Sequence, residues 1–437
     1  MRIRIENVHV LTMDSMFHEY DKSNVTIEDD SIIAINDDSL DVDKIIDGKN
    51  GILMPGMVNV HSHLSMIPFR SLGDDCPDRL RRFLFPLESK AMTNKLAISA
   101  AKYAVCELML GGVTQVFDMY FYEGDIAQVM VDMNMRATLA ETILDFVAPN
   151  TDKPYGGLDY SDWYIPQWKY KNPLVRPAIA PHATNTNDTK ALKRALEIAE
   201  KYDVLLSMHV SEMDYELAYF RKEYDMTPIE YLDSIGLLND RLLAAHCIHL
   251  TEHDIELLEK RNVKVAHCVG SNTKAGKGVM PLKDLYNHNV VVGLGTDGPS
   301  SGNTIDIITQ LPLVPKAHKT REHDRSLFPA KDVLKFATLD GAKCLGTDSY
   351  TGSIEVGKKA DLVLIETESV NMFPIYDYYS AVVYSANPSN VDSVWINGKQ
   401  VVSNKKLVDF DLKEIREELN KDMAEFKELA ILYSKDL

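Results

Sequence analysis

The sequence predicts an α/β protein built as a closed (β/α)8 barrel of the TIM type, with a small β-sandwich formed by the N- and C-terminal segments. From residue 57 onward, short apolar strands alternate with amphipathic helices, and eight such strands follow one another. Buried parallel strands form near-continuous apolar runs, and eight strand–helix units are typical of a closed barrel. On both sides of this region the chain returns to short strands and turns, which predicts the smaller domain.

Residues 1–56 form the first part of the predicted sandwich. Residues 2–5 alternate charged and apolar side chains, a further apolar run covers residues 32–35, and Asp47-Gly48 marks a turn. Alternation of this kind, interrupted by turn residues, is typical of strands that are buried on one face.

Residues 57–348 form the predicted barrel. Its eight strands are predicted at residues 58–61, 113–118, 136–142, 174–180, 204–209, 242–246, 263–267 and 290–295. Apolar residues at helical spacing predict helices between most of them, for example over residues 93–110 and 189–202. An open, doubly wound sheet is the structural alternative, but no glycine-rich phosphate loop follows the first strand.

Residues 349–437 form the second part of the sandwich and a C-terminal helix. The apolar run at residues 391–396 is followed by Asn397-Gly398, and this dipeptide favours the tight turn of a β-hairpin. Residues 412–432 are charged and helix-forming, which predicts one exposed or packing helix at the end of the chain.

The composition predicts a cytoplasmic protein. The chain has 437 residues, of which 45% are hydrophobic and 26% charged, and its formal net charge is −18. An acidic surface repels phosphates, so neither nucleic acid nor an anionic membrane is predicted as a partner. Five cysteines without regular spacing indicate reduced thiols, and the charged N-terminus lacks the apolar stretch of a secretory signal.

The most informative pattern is the pair His61 and His63 at the end of the first barrel strand. Strand side chains alternate faces, so two histidines separated by one residue point the same way and can bind one ion. Barrel enzymes carry their active groups at the C-terminal ends of the strands. Further histidine and aspartate residues lie at such ends: His182, His209, His246, His267 and Asp297. Core packing does not explain so many of them, and together they predict a metal-dependent hydrolase.

One divalent cation, zinc with iron as the alternative, is predicted with the ligands His61, His63, His209 and Asp297. Three imidazoles and a carboxylate suit either ion and leave a position for water, whose pKa the ion lowers toward neutrality. Glu212 lies just beyond the fifth strand, where its carboxyl group can carry a proton from that water to a ring nitrogen. Residues 174–180 contain no lysine that could bridge two ions after carboxylation, which favours a single metal. Glu141, at the end of the third strand, is a minor candidate as ligand of a second ion.

The motifs around these residues resemble those of the amidohydrolase superfamily. The segments that carry the resemblance are VNVHSH at residues 58–63, HVSE at 209–212, AAHCIHL at 244–250 and GTDG at 295–298. Within the superfamily, the chain is similar to the triazine hydrolase and aminohydrolase branch, which includes the methylthioadenosine/S-adenosylhomocysteine deaminases. The similarity covers nearly the whole chain and implies a mononuclear metal site and a homodimer or larger assembly.

The resemblance also implies the roles of individual side chains. Glu212 would protonate the ring nitrogen, His246 would orient or polarise the attacking water, and Asp297 would pass a proton to the departing ammonia. Three further positions match substrate-binding residues of the family, with Glu88 as the acid that binds ribose hydroxyls: Glu88, His182 and Ser301. The seventh-strand motif matches a supporting group of residues: His267, Ser271 and Asn272.

Two departures from the family pattern bear on the substrate. Glu141 stands where relatives that act on S-adenosylhomocysteine carry an arginine, and Arg79 lies near the position of an expected tryptophan. An acid in place of a cation repels a substrate carboxylate. Glu141 is therefore taken as a substrate-binding position, and S-adenosylhomocysteine is predicted to be a poor substrate compared with one that has an uncharged or cationic tail.

The predicted function is hydrolytic deamination of an aminopurine, with a 5′-modified adenosine such as methylthioadenosine as the leading substrate and ammonia as a product. Such an enzyme hydrolyses C–N bonds in cyclic amidines. One alternative is a hydrolase or deaminase of another nitrogen heterocycle, such as a pterin, a guanine-type ring or a triazine. The other is a catalytically dead barrel that serves as a scaffold.

Overall fold

The computed structural model describes residues 1–76 and 79–434. The strands of the N-terminal segment are β1 (Arg2–Leu11), β2 (Glu19–Glu28), β3 (Ser31–Ile35) and β4 (Lys44–Pro55). The strands of the central region are β5 (Met57–Ser62), β6 (Val113–Tyr120), β7 (Arg136–Ile143), β8 (Val175–Pro181), β9 (Leu206–Val210), β10 (Leu242–His246), β11 (Lys264–His267) and β12 (Val292–Leu294). The strands of the C-terminal segment are β13 (Leu362–Ile365), β14 (Val391–Ile396), β15 (Lys399–Ser403) and β16 (Lys406–Leu407).

Helices cover most of the chain between the barrel strands. The α-helices are Phe85–Ala91, Asn94–Leu110, Glu123–Asp132, Gly156–Trp168, Thr189–Tyr202, Asp214–Tyr224, Pro228–Ser234, Glu252–Lys260, Val269–Lys274, Leu282–Asn287, Leu313–Glu322, Ala330–Ala337, Leu339–Cys344, Tyr378–Ser380, Leu412–Asp422 and Ala424–Tyr433. Short 3-10 helices cover Leu64–Phe69, Val370–Met372 and Pro388–Asn390, and π-helical turns cover Leu80–Leu84 and Ala381–Ser385. No helix in the described ranges is long and apolar enough to cross a membrane.

The central strands form the predicted parallel barrel. Strands β5 to β12 follow one another in the sheet in chain order, and each pairs in parallel with the next. The ring closes where β12 meets β5, because the backbone N–H groups of Thr296 and Asp297 both donate to the carbonyl of His61 at 3.1 Å. This closure places the end of the last strand directly beside the histidine pair of the first. The predicted barrel is confirmed.

The terminal segments form a second sheet together. Its strand order is β16-β15-β14-β13-β4-β1-β2-β3, and β4 pairs antiparallel with β13, so that Ile52 lies opposite Ile365. The predicted pairing of the two ends is confirmed, and the hairpin at residues 391–396 is present as β14 and β15. The domain boundaries at residues 56/57 and 348/349 stay predictions.

A buried ion pair joins this terminal sheet to the barrel. Arg136, at the start of β7, donates from Nε and Nη2 to the two carboxylate oxygens of Asp361 at 2.7 and 3.0 Å. Both side chains are at most 4% exposed, and a two-pronged guanidinium–carboxylate contact fixes orientation as well as distance. The contact therefore sets how the terminal sheet sits on the bottom of the barrel, away from the strand ends that carry the site.

The C-terminal helix predicted over residues 412–432 is divided in the structure. One helix ends at Asp422 and the next begins at Ala424, with Met423 between them. Leu419 and Phe426 lie on either side of the break and are both buried, and the ring of Phe426 packs edge-on against Phe69 at 4.7 Å. The stretch is helical on both sides of Met423, and the position of this break depends on packing that charge and helix propensity alone do not reveal.

Candidate metal centre and active site

The four predicted metal ligands converge at the C-terminal end of the barrel. Asp297 Oδ1 lies 3.1 Å from Nε2 of His63 and 3.9 Å from Nε2 of His61, while the rings of His61 and His209 are 4.9 Å apart. Two groups of possible ligand atoms share His61, one with His63 and Asp297 and the other with His209 and His246. The barrel therefore brings all four side chains to one point, as the sequence predicted, and places His246 beside them.

Backbone carbonyls orient two of the histidines. Nδ1 of His63 donates to the carbonyl of Met119, and Nδ1 of His209 donates to the carbonyl of His182, both at 2.6 Å. A carbonyl oxygen only accepts, so these contacts place the ring proton on Nδ1 and leave Nε2 as a lone-pair donor. This is the usual support of a metal-binding histidine.

The donor set fits a divalent cation. Both ring nitrogens of His61 are buried and have no hydrogen-bond partner among the described residues. A buried polar atom without a partner costs free energy, and a cation coordinated by its lone pair removes that cost. Burial lowers the pKa of His61 and of His209, so that both rings are neutral and ready to act as ligands. Burial raises the pKa of Asp297, but the hydrogen bond and charge of His63 outweigh burial and hold that pKa well below its ordinary range.

The site opens into a cavity of about 460 Å³. This volume is in the range of pockets that enclose a small organic ligand. Its wall contains every predicted catalytic and metal-ligand residue except the buried His61, and it contains three of the four predicted substrate-binding residues: Glu88, His182 and Ser301.

Glu212 and His246 face each other in this cavity. Glu212 Oε1 lies 3.6 Å from His246 Nε2, and the other ring nitrogen of His246 donates to Asn272 Oδ1 at 2.9 Å. Burial raises the pKa of Glu212, but the neighbouring His246 and Lys277 outweigh burial and hold the pKa well below its usual range. An ionised carboxylate and an imidazole nitrogen thus point into the same space, which is the arrangement needed for proton transfer to and from a water molecule.

Lys277 is a cavity residue that the sequence reading missed. Its ammonium group binds Glu212 Oε1 at 2.5 Å, and the side chain is only 17% exposed. The available signal was a lysine between two glycines, Gly276 and Gly278, shortly after the seventh strand. That signal is weak, since lysines in glycine-rich loops are usually exposed.

Glu88 is buried at the cavity wall. The hydroxyl of Tyr120 donates to Glu88 Oε1, and burial raises the pKa of Glu88 to about 7 despite this hydrogen bond and the nearby His63. His182 also lines the cavity, and its Nδ1 lies 3.0 Å from the hydroxyl oxygen of Thr186. Hydrogen bonds thus hold the side chains of Glu88 and His182 at the cavity wall, where both can contact a bound molecule.

Glu141 does not reach the cavity, and this corrects its assignment as a substrate-binding residue. Side chains alternate along β7, and its neighbour Thr142 is the one that lines the cavity. Glu141 is fully buried on the other face, where its two oxygens accept from Asn150 Nδ2 at 2.7 Å and from the backbone N–H of Glu123 at 3.1 Å. It belongs to neither group of possible metal ligands, so the second ion also lacks support. Glu141 is therefore not placed to repel the carboxylate of S-adenosylhomocysteine from the cavity.

Two positively charged side chains, and not the acidic Glu141, lie at this part of the cavity wall. Arg79 and Lys274 line the cavity, and both bind Asp74 Oδ1, at 3.1 and 2.9 Å. Residues that follow the seventh strand hold the predicted metal ligand Asp297 in place, because the hydroxyl of Ser271 donates to Asp297 Oδ2 at 2.7 Å. His267 is buried, and its Nε2 lies 2.9 Å from Nε2 of His318.

Comparison with known proteins agrees with this geometry. Residues 52–401 match the amidohydrolase family. The chain is 33% identical over 419 residues to 5-methylthioadenosine/S-adenosylhomocysteine deaminase 1 of Syntrophus aciditrophicus, with 94% of each chain covered. It is 34% identical over 425 residues to 5′-deoxyadenosine deaminase of Methanobrevibacter smithii, covering 93% of this chain and 94% of the relative.

A solved structure is similar over the same extent. An adenosine deaminase from Xanthomonas campestris with bound zinc superimposes with a TM-score of 0.94 at 28% identity, and 98% of each chain is covered. The match of the family profile to most of the chain, together with two relatives above 30% identity over nearly their full length, establishes the relationship. The chain belongs to the amidohydrolase family.

Proposed function

We propose that this protein is a metal-dependent deaminase that hydrolyses the exocyclic amino group of an aminopurine, with a 5′-modified adenosine such as methylthioadenosine as its substrate and ammonia as a product. The single observation that carries the proposal is the pairing of Glu212 with His246, 3.6 Å apart, in the cavity into which the ligand cluster opens. The names of the relatives, deaminases of methylthioadenosine and of 5′-deoxyadenosine, support the substrate class.

The chain's own residues supply the proton transfers of this reaction. When bound at the cluster of His61, His63, His209 and Asp297, a divalent cation makes the attacking water more acidic. His246 holds that water through Nε2. The water oxygen bonds to the amino-bearing carbon, while Glu212 takes one proton from the water and delivers it to the adjacent ring nitrogen. Asp297 takes the second proton and passes it to the amino group. The C–N bond then breaks, ammonia leaves with the bonding electron pair, and the oxygen remains on the ring carbon.

A panel experiment tests the proposal. We expect the protein as purified to contain about one zinc or iron ion per chain. We expect the zinc-loaded protein to release ammonia from methylthioadenosine and 5′-deoxyadenosine. Stronger release from a pterin, a guanine-type ring or a triazine would replace the substrate class. No release from any of these by a protein that takes up no metal would favour the scaffold alternative.

Glu88 is proposed as the anchor of the ribose hydroxyls, which gives a pH-dependent prediction. A carboxylate accepts two hydroxyl hydrogen bonds, whereas a protonated carboxyl loses one acceptor site. Because the pKa of Glu88 is raised to about 7, the carboxylate is present above this pH and is lost as the pH falls through it. We therefore expect the KM for a nucleoside to rise as the pH drops below about 7.

Steady-state kinetics of Glu88→Gln check this expectation. The variant should have a nucleoside KM that is about tenfold higher at pH 8 and nearly independent of pH, since a neutral amide replaces the carboxylate. A free aminopurine base serves as the control substrate, because it has no ribose for residue 88 to hold. An unchanged nucleoside KM in the variant would remove Glu88 from the proposed binding site.

The remaining predictions from the sequence complete the proposal. Zinc is the proposed ion because the ligand set suits it, with iron as the alternative. The cytoplasmic location and the homodimer or larger assembly stay predictions.

A further inference from the structure

Lys277 occupies a position in the active-site wall that neither the sequence patterns nor the proposed reaction accounts for. It follows the helix Val269–Lys274, and its backbone N–H donates to the carbonyl of Asn272 at 3.0 Å. The flanking Gly276 and Gly278 have φ angles of +63° and +118°, which side-chain-bearing residues rarely adopt. This local path turns the side chain of Lys277 into the cavity, where it is 17% exposed.

A lysine in such a place needs a partner. Burial removes water from the ammonium group, and the loss is offset only when an opposite charge lies in contact. The partner is Glu212 Oε1 at 2.5 Å, the same oxygen that lies 3.6 Å from His246 Nε2. The oxygen is thus hydrogen-bonded to Lys277 and is just beyond hydrogen-bond distance from His246.

Lys277 and His246 compete for contact with Oε1 of Glu212. Without the ammonium group, the nearest remaining donor among these three residues is Nε2 of His246 in its protonated form, and a small rotation of Glu212 would close the 3.6 Å gap to a direct hydrogen bond. A direct Glu212–His246 bond would take up the nitrogen that must hold the water and would close the space between the two groups in which the water must lie.

We propose that Lys277 is a positioning residue that holds the Glu212 carboxylate apart from His246, so that both groups remain free to act on the nucleophilic water. This inference rests on the proposed function. Lys277 itself touches no reacting atom in the proposed sequence: Glu212 receives the proton from water and gives it to the ring nitrogen, and the ammonium group keeps its three protons throughout.

Kinetics of Lys277→Met and Lys277→Arg test the inference. Methionine keeps the length of the side chain and removes the charge, whereas arginine restores a cation that can bind the same oxygen. We expect Lys277→Met to lower kcat about tenfold or more with KM changed by less than about twofold, and Lys277→Arg to recover most of the loss. Lys283→Met is the matched control, because Lys283 lies outside the cavity and pairs with Glu322 at 3.8 Å.

A double variant separates this inference from the proposed function. If Lys277 acts through Glu212, adding Lys277→Met to Glu212→Gln should produce no further loss of kcat. A fully active Lys277→Met beside an inactive Glu212→Gln overturns the role of Lys277 and leaves the proposed proton transfer standing. Normal activity of Glu212→Gln overturns the proton transfer itself.

A crystal structure of Lys277→Met gives a readout that does not depend on activity. We expect Glu212 Oε1 to move to within about 3.2 Å of His246 Nε2, the limit of an ordinary hydrogen bond. If Glu212 keeps its orientation and its distance from His246 in the variant, Lys277 does not position it and the inference is wrong.

Discussion

Replacing Glu212 by glutamine is expected to lower kcat by about 10³-fold, within the range found when a general acid–base group is removed. The amide has nearly the shape of the carboxylate and can still bind Lys277, but it cannot take a proton from water and deliver it to the ring. Because Glu212 is not among the predicted metal ligands, the metal content and the KM are expected to stay near those of the unmodified protein. Such a kcat-specific loss identifies an interaction that is made in the transition state.

The measurement is steady-state ammonia release, accompanied by metal analysis of the same samples. Asp214→Asn is the matched control, since Asp214 is a nearby carboxylate that is 93% exposed and does not line the cavity. It is expected to behave like the unmodified protein. A Glu212→Gln enzyme that retains more than about a tenth of the kcat would contradict the assignment, because general acid–base groups contribute at least about 10²-fold.

Replacing Asp297 by asparagine is expected to have the largest effect, with loss of metal and a fall in activity of about 10⁴-fold or more, since two contributions disappear together. Asp297 is both a proposed ligand and the proposed carrier of the second proton. The substitution is well suited to the backbone, because residue 297 has a φ of +61° and asparagine tolerates this left-handed conformation better than most residues. The loss can therefore be assigned to the carboxylate rather than to unfolding.

Ser271→Ala provides a graded comparison for this prediction. The hydroxyl of Ser271 donates to Asp297 Oδ2 at 2.7 Å, so its removal loosens the carboxylate without deleting it. Loss of such a supporting contact is expected to cost about 10- to 100-fold in metal affinity or activity. Metal titrations of both variants measure the metal affinity, and unfolding curves show whether each variant is folded. Full metal occupancy in a folded Asp297→Asn protein would exclude Asp297 as a ligand.

The barrel and the ligand cluster were predictable because they depend on regular structure. In a parallel barrel all strands end at the same rim, so His61, His209 and Asp297 could be placed near one another from strand ends alone. The alternation of side chains then put His63 on the same face as His61. These inferences need only the order of the strands, and small errors in strand bounds do not alter them.

Two parts of the site depend on details that the patterns do not contain. Glu141 was misplaced because a shift of one residue along a strand moves a side chain to the opposite face, and Thr142 is the residue on the cavity side. Lys277 was missed because its direction is set by the backbone angles of Gly276 and Gly278 and by a partner that is distant in the sequence. Loop geometry of this kind arises from tertiary contacts and leaves little trace in local composition.

The joining of β4 to β13 has a consequence for how the chain is made. Ile52 leaves the ribosome long before Ile365, its partner across the sheet, so one edge of β4 stays open while the entire barrel is being synthesised. An open strand edge is a template for pairing with another chain. Translation that stops after residue 348 would leave this edge uncovered permanently, and the truncated products are expected to associate with one another through it.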